Sequence, residues 1–149
     1  MNRLIGLLGA SLILWLCVVV SGTVLHVPGE YPTMQAGIDA AAEGDTVLVA
    51  DGTYTGGGNR DLDFGGVNMV VMSENGPEVT SIDCEGDSLD SHRGFYFHSG
   101  EDSTAVVQGF TIRNGYAAGP WPKFVGGGIR CDNSSPTIVG NTITENGSA

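Results

Sequence analysis

Lysine and arginine are scarce in this chain: 6 stand against 17 aspartates and glutamates, for a formal net charge of −11. A surface that neutralises phosphates needs clustered cations, so the shortage argues against nucleic acid and anionic lipid as partners. Cysteine is rarer still, with 3 in 149 residues. Cys17 falls in an apolar N-terminal run, which leaves Cys84 and Cys131. Two cysteines make no disulfide scaffold, and the chain has no Cys-x-x-Cys or Cys/His zinc pattern. Each follows a strand-like residue, in Ile82-Asp-Cys84 and Ile129-Arg-Cys131, so they read either as one disulfide or as two buried thiols.

Long apolar runs are absent after Val20. The one present, Leu4 to Val20, follows Arg3 and ends at Val20-Ser-Gly22, which is the layout of a secretory signal peptide. It sits at the short end of the roughly 17–25 residues that a spanning helix needs. No stop-transfer charges follow it, which favours cleavage over an uncleaved anchor. Trp15 and Leu16 before Cys17 disfavour lipid attachment there. The expected organisation is a signal at 1–22 and one domain at 23–149, with the mature chain free of the membrane and secreted or held at the cell surface. Only Arg3 among the charged residues is lost on cleavage, so the mature chain is one unit more acidic still. Such a charge suits a solvated extracellular surface, or calcium-assisted contact with acidic polymers.

Helical periodicity is confined to one place. Thr33 is an N-cap residue, and Met34, Ile38, Ala41 and Ala42 fall on one face, which predicts a helix over about 33–43 stopped by Gly44. Beyond it lie β-rich runs of three to five residues, separated by Gly, Asn, Asp, Ser and Pro. They are Thr46–Ala50, Leu62–Phe64, Met69–Met72, Ser81–Cys84, Gly94–His98, Ala105–Val107, Phe110–Ile112, Ile129–Cys131, Thr137–Val139 and Asn141–Ile143. The runs are too short and too unevenly spaced for a series of hairpins.

What is present is a repeat. Ser103–Ile112 aligns without a gap on Ser134–Ile143, at an offset of 31 residues. Ser103/Ser134, Gly109/Gly140, Thr111/Thr142 and Ile112/Ile143 are identical. One such unit cannot bury its apolar face until a neighbour stacks on it. Parallel coils satisfy this, each strand pairing with its equivalent one coil above and below. About four coils, some incomplete, follow Gly44. Asn141 and Asn146 would stack on asparagines of further coils and share amide hydrogen bonds. The loop Tyr116–Val125 leaves the stack at one corner, where solenoids often build a binding face.

Four stretches carry a family resemblance: Val27-Pro-Gly-Glu-Tyr-Pro-Thr-Met-Gln-Ala-Gly-Ile-Asp-Ala-Ala42, Gly44–Tyr54, Ser73–Asp83 and Gly126-Gly-Gly-Ile-Arg-Cys-Asp-Asn-Ser-Ser-Pro-Thr-Ile138. Their order resembles the secreted right-handed parallel β-helix proteins of the pectin-lyase-like superfamily, over almost all of residues 26–149. The resemblance implies an all-β right-handed parallel β-helix (a solenoid) with an N-terminal capping helix. A helix there would cover the unpaired backbone and apolar side chains of the first coil. The chain stops where another Gly-Gly-Gly-Ile strand would be due, so the expectation is an N-terminal piece of a longer protein. The alternative is that self-association covers the last coil.

Activity is less specified, because the superfamily holds lyases, hydrolases, esterases and proteins without catalysis. The resemblance implies a basic residue and calcium for a lyase, and clustered aspartates for a hydrolase. No residue matches a catalytic motif closely enough to carry over. The acids available are Asp61 and Asp63, then Asp83, Glu85, Asp87 and Asp90; His92, Arg93, Arg113 and Arg130 are the bases. Asp63, Asp83 and Glu85 are the catalytic candidates, since i, i+2 acids share one side of a strand. Asp83, Glu85 and Asp87 are the calcium candidates through carboxylate and carbonyl oxygens. Acidic turn residues are also commonly just solvated caps. His92 and His98 read as solvated surface residues, and Phe95-Tyr-Phe97 as core with one exposed ring. Trp121, between two prolines, is the candidate for stacking on a sugar. Asn133-Ser-Ser135 and Asn146-Gly-Ser148 fit the N-glycosylation pattern.

The expectation is a scaffold or recognition module, non-catalytic as it stands, whose partner is a polysaccharide or cell-surface glycan. A polysaccharide lyase or hydrolase for acidic polysaccharide, with room for its active site beyond residue 149, is the first alternative. A structural adhesin or stalk segment is the second. No cofactor is expected, apart from calcium in the lyase case.

Overall fold

The computed structural model describes residues 22–119 and 125–148. The expected signal, residues 1–22, lies outside the described residues apart from Gly22, and Trp121 lies outside them too. Among the described residues no helix is long and apolar enough to cross a membrane.

The described residues open with strand β1 (Val24–Val27) and a helix, α1 (Met34–Ala40). Strands β2 (Thr46–Val49) and β3 (Gly52–Tyr54) follow, then β4 (Val70–Ser73), β5 (Thr80–Asp83) and β6 (Phe95–Phe97). The next pass holds β7 (Val106–Gln108), β8 (Thr111–Arg113), β9 (Tyr116–Ala117) and β10 (Ile129–Cys131). The last holds β11 (Thr137–Val139), β12 (Thr142–Ile143) and β13 (Gly147–Ser148). Every strand pair is parallel. Strands stack in the orders β1-β2-β4-β7-β11, β3-β5-β8-β12, β6-β10 and β9-β13. Leu62 adds an isolated parallel bridge to Phe95 below β6. The described residues are therefore mainly β, built from parallel strands with one helix, and compatible with a β-helix-like solenoid.

Register explains why so few residues specify each strand. Leu25, Val47, Val71, Val107 and Ile138 lie over one another, as do Tyr54, Ile82, Ile112 and Ile143. A third column runs Leu62, Phe95 and Ile129. Period-2 alternation points these side chains inward, and each fully buried one contributes roughly 1.5–3 kcal/mol. The four phenylalanines Phe64, Phe95, Phe97 and Phe110 fill the centre, with Phe64 edge-on to Phe97 at 4.9 Å between centroids. The repeated glycines sit at equivalent corners: Gly109 and Gly140 have φ of 82° and 64°, a region glycine enters without a Cβ clash.

The helix starts where the sequence indicates. Thr33 is the N-cap, and its Oγ1 accepts from Ala36 N at 3.2 Å. Met34, Gly37 and Ile38 are buried. A Cβ on Gly37 would come within 3.0 Å of Val47 and 3.1 Å of Val27, so the missing side chain lets α1 lie close on β1 and β2. The expected stop at Gly44 is corrected: the helix ends earlier, with Ala41 extended at ψ 148°. Asp45 takes over that end, accepting from Ala42 N and Thr23 N. Those two bonds hold its carboxyl below the usual range.

Three further expectations are corrected. Cys84 and Cys131 are both free thiols. Only Cys84 is buried; Cys131 lies over Phe97 with no strand stacked on it among the described residues, and is exposed. The asparagines do not stack on one another. Asn141 Oδ1 accepts from Phe110 N and its Nδ2 donates to Val107 O; Asn146 serves Gly115 N and Ile112 O in the same way. Each amide spans one level, pairing an N–H of the bend below it and adding a second bond to a strand carbonyl. Leu62–Phe64 forms no strand beyond its single bridge.

Candidate functional site

The sheet of Leu62, β6 and β10 alternates in and out. Its inner residues are the core; its outer residues carry most of the ionisable groups that the sequence singles out. On the lowest level stand Asp61 and Asp63, flanking buried Leu62. The next carries His92, Arg93, Tyr96 and His98, and the upper one Arg130 and Asp132.

These groups are bonded across levels. Asp61 Oδ2 lies 2.5 Å from His92 Nδ1, and Asp61 Oδ1 accepts from Arg93 N at 2.9 Å. A left-handed φ of 52° at Asp61 aims the carboxylate at that amide. His92 Nε2 is 3.2 Å from Asp90 Oδ2 but out of hydrogen-bond alignment. Asp63 Oδ2 lies 3.0 Å from His98 Nε2. The helix fixes this acid: Gln35 Nε2 donates to Asp63 O, and Asp63 N donates back to Gln35 Oε1. The two histidines are thus hydrogen-bonded to carboxylates, which corrects their reading as merely solvated.

Tyr96 is the hub of the upper part. Its hydroxyl donates to Asp132 Oδ2 at 2.8 Å, and Arg130 Nη2 reaches the same oxygen at 2.6 Å. Arg130 lies 5.1 Å from the ring centroid and Arg93 5.4 Å, both within cation–π range. The His98 ring is tilted against the same tyrosine at 4.3 Å. The Arg130 bond, then the Tyr96 bond, holds the Asp132 carboxyl below its ordinary value; the same Asp132 bond raises the Tyr96 phenol. Burial lowers the Arg93 guanidinium, and the neighbouring charge of Arg130 lowers it further. Beside Asp63 opens a cleft of about 280 Å³ between α1 and the following turn, with Gln35, Ile38, Asp39 and Phe64 in its wall.

The sequence-derived acids fall on two different faces. Asp63 belongs to the row above. Asp83 and Glu85 do not converge: Asp83 points to Arg113 and Asn114, while Glu85, at φ 51°, accepts from Gly56 N and pairs with Arg60. Asp87 caps its own turn through Leu89 N and Asp90 N. Among the described residues no three His, Cys, Asp or Glu side chains gather as a metal group. Burial, then the Asp61 and Asp83 charges, pushes the Cys84 thiol up to about 12, so it is no nucleophile near neutral pH.

Tyr96, His98 and Asp132 carry no site signal in the sequence, because their bonds do not follow the repeat offset; the Asp61–His92 pair does. The offset of the late repeat, 31 residues, also separates Asp61 from His92. Applied upstream of the clear repeat, that offset places the acid under the imidazole.

No family model, no curated protein and no solved structure matches the chain.

Proposed function

We propose that the chain is an exported carbohydrate-recognition module on a right-handed parallel β-helix of the pectin-lyase-like superfamily, secreted or held at the cell surface. The observation that carries this is the outer row Asp61, Asp63, Tyr96, His98, Arg130 and Asp132. Planar donors and acceptors spaced along a rigid sheet suit the hydroxyls of an extended sugar chain, and the cleft beside Asp63 can admit one ring. Nearly every acid here is already paired, which suits binding better than proton transfer. The mature chain should be retarded in a gel containing a suitable polysaccharide, and Tyr96→Ala should remove most of the retardation. Trp121→Ala tests the adjoining loop in the same gel. Retardation that survives Tyr96→Ala would contradict the placement of the site.

A second reading is a polysaccharide lyase or hydrolase. The Asp61–His92 and Asp63–His98 pairs favour it, because an imidazole held by a carboxylate is a common acid–base device. Release of reducing ends, or of unsaturated product, that His92→Gln abolishes would establish it. The assay run with added calcium and with chelator tests the role assigned to Asp83, Glu85 and Asp87. A stalk segment would neither bind nor cleave.

A further inference from the structure

We propose that the outer face of the sheet β1-β2-β4-β7-β11 is a docking surface for a cationic amphipathic helix of a partner protein. This is independent of the glycan reading, which concerns the face of β6 and β10.

Register puts two outward columns of side chains on these five strands. Thr46, Val70 and Val106 follow one another in the first column; Leu48, Met72 and Val139 belong to the second. No outward residue of either column is Asp, Glu, Lys or Arg, in a chain of net charge −11. Val24 and Val139, on the first and last strands, are each about half exposed, at 46% and 46%. The helix α1 leaves this side open, because it meets β1 and β2 at the inward Val27 and Val47. An uncharged, largely apolar strip with a polar rim marks a surface that a partner covers.

The rim sets the partner's charge. Where the chain enters the strands, Glu43 accepts from Asn68 N, and Asn68 Oδ1 accepts from Asp102 N, so exposed acids of two levels share one corner. Where it leaves them, Asp51 accepts from Asn75 Nδ2, and the exposed Glu74 stands beside that asparagine. No lysine or arginine lies on these strands or on the turns that enter and leave them. An apolar stripe bordered by cations complements such a face. An anionic membrane would be repelled by it. Size selects a helix. Five levels about 4.8 Å apart, carrying columns about 7 Å apart, give a strip of roughly 300 Å². That is small beside the about 800 Å² that each folded partner contributes to a standard interface. Two copies face to face would also bring their acidic rims together. A single helix about 10 Å wide covers both columns, and about 13 of its residues run the height of the stack.

The test uses residues 23–149 and three fluorescent peptides of about 16 residues. One carries leucines at helical spacing bordered by lysines, one has the same composition scrambled, and one has glutamate for every lysine. Anisotropy should show binding of the first and at least tenfold weaker binding of the other two. Gln108→Lys places a cation inside the strip, between Met72 and Val139 in register, and should weaken binding about tenfold. Val139→Lys, on the last strand of the same column, should act likewise. Leu89→Lys adds the same charge at a loop residue that is 97% exposed, and should leave binding unchanged. Unchanged thermal midpoints confirm that the variants fold. Equal binding of the scrambled peptide, or equal weakening by Leu89→Lys, would reduce the effect to bulk charge and overturn the proposal. Binding of no peptide would overturn it as well. Dimers in sedimentation that Gln108→Lys dissociates would assign the strip to a second copy and also overturn it.

Discussion

At the scale of single residues, the least solvated acid is Glu101, at 1% exposure. Its oxygens accept from Gly66 N, Ser99 N and the Ser134 hydroxyl, so one carboxylate ties three successive passes of the chain. Burial pushes its carboxyl up; the Ser134 hydroxyl and the backbone amides outweigh that, and the net lies below its ordinary value of 4.5. A depressed folded value means that the stabilisation is present above the unfolded pKa and is lost as pH falls through the folded one. Glu101→Gln replaces an acceptor with a donor facing other donors, and should cost about 1–3 kcal/mol at pH 7. Thermal melts across the acid range should show the mutant losing less stability than the parent as pH falls. Parallel curves would assign the acid sensitivity elsewhere. The two thiols differ as well: Cys131 should react with a thiol reagent in the native state, and Cys84 only after denaturation. Mass spectrometry of labelled peptides reads this directly. None of the Glu101 arrangement is legible in the sequence, where Gly-Glu-Asp-Ser reads as an ordinary acidic turn.

At the scale of elements, the late repeat is what the sequence states most clearly. Val107 lies over Ile138, Thr111 over Thr142 and Ile112 over Ile143, as the alignment requires. The spacing is uneven upstream, so the same stacking of Leu25, Val47 and Val71 leaves no visible period. The short strands β1, β3, β9 and β13 escape for a related reason. Gly147-Ser148 has no β propensity of its own and is a strand only because Tyr116-Ala117 lies beside it. The helix is legible at its capped start and misread at its end, where Asp45 rather than a glycine closes the turn. Asn141 is the element-scale test. Asn141→Ala should leave Phe110 N unpaired and strip the side-chain bond from Val107 O, and cost about 1–3 kcal/mol in chemical denaturation. Asn75→Ala removes only an exposed bond to Asp51 and should cost a few tenths of a kcal/mol at most, in line with ordinary surface substitutions. Equal losses would mean that asparagine braces do not hold the levels together.

At the scale of the whole molecule, an acidic body carries a face where acids and bases alternate across levels. The sequence supplies Asp61, Asp63, His92, Arg93 and Arg130 as candidates but not their meeting, because parallel stacking brings together residues more than 30 apart in the chain. It also offers Asp83 and Glu85 as a pair, and one left-handed residue turns them toward different neighbours. The proposed function is glycan recognition by the outer face of β6 and β10. The most direct test is a two-dimensional NMR titration of isotope-labelled residues 23–149 with oligosaccharide. Shifts confined to amides around Asp61, Asp63, Tyr96, His98, Arg130 and Asp132 are the predicted result. Shifts centred on Arg113 and Asp83, or no shifts with any glycan, would contradict it.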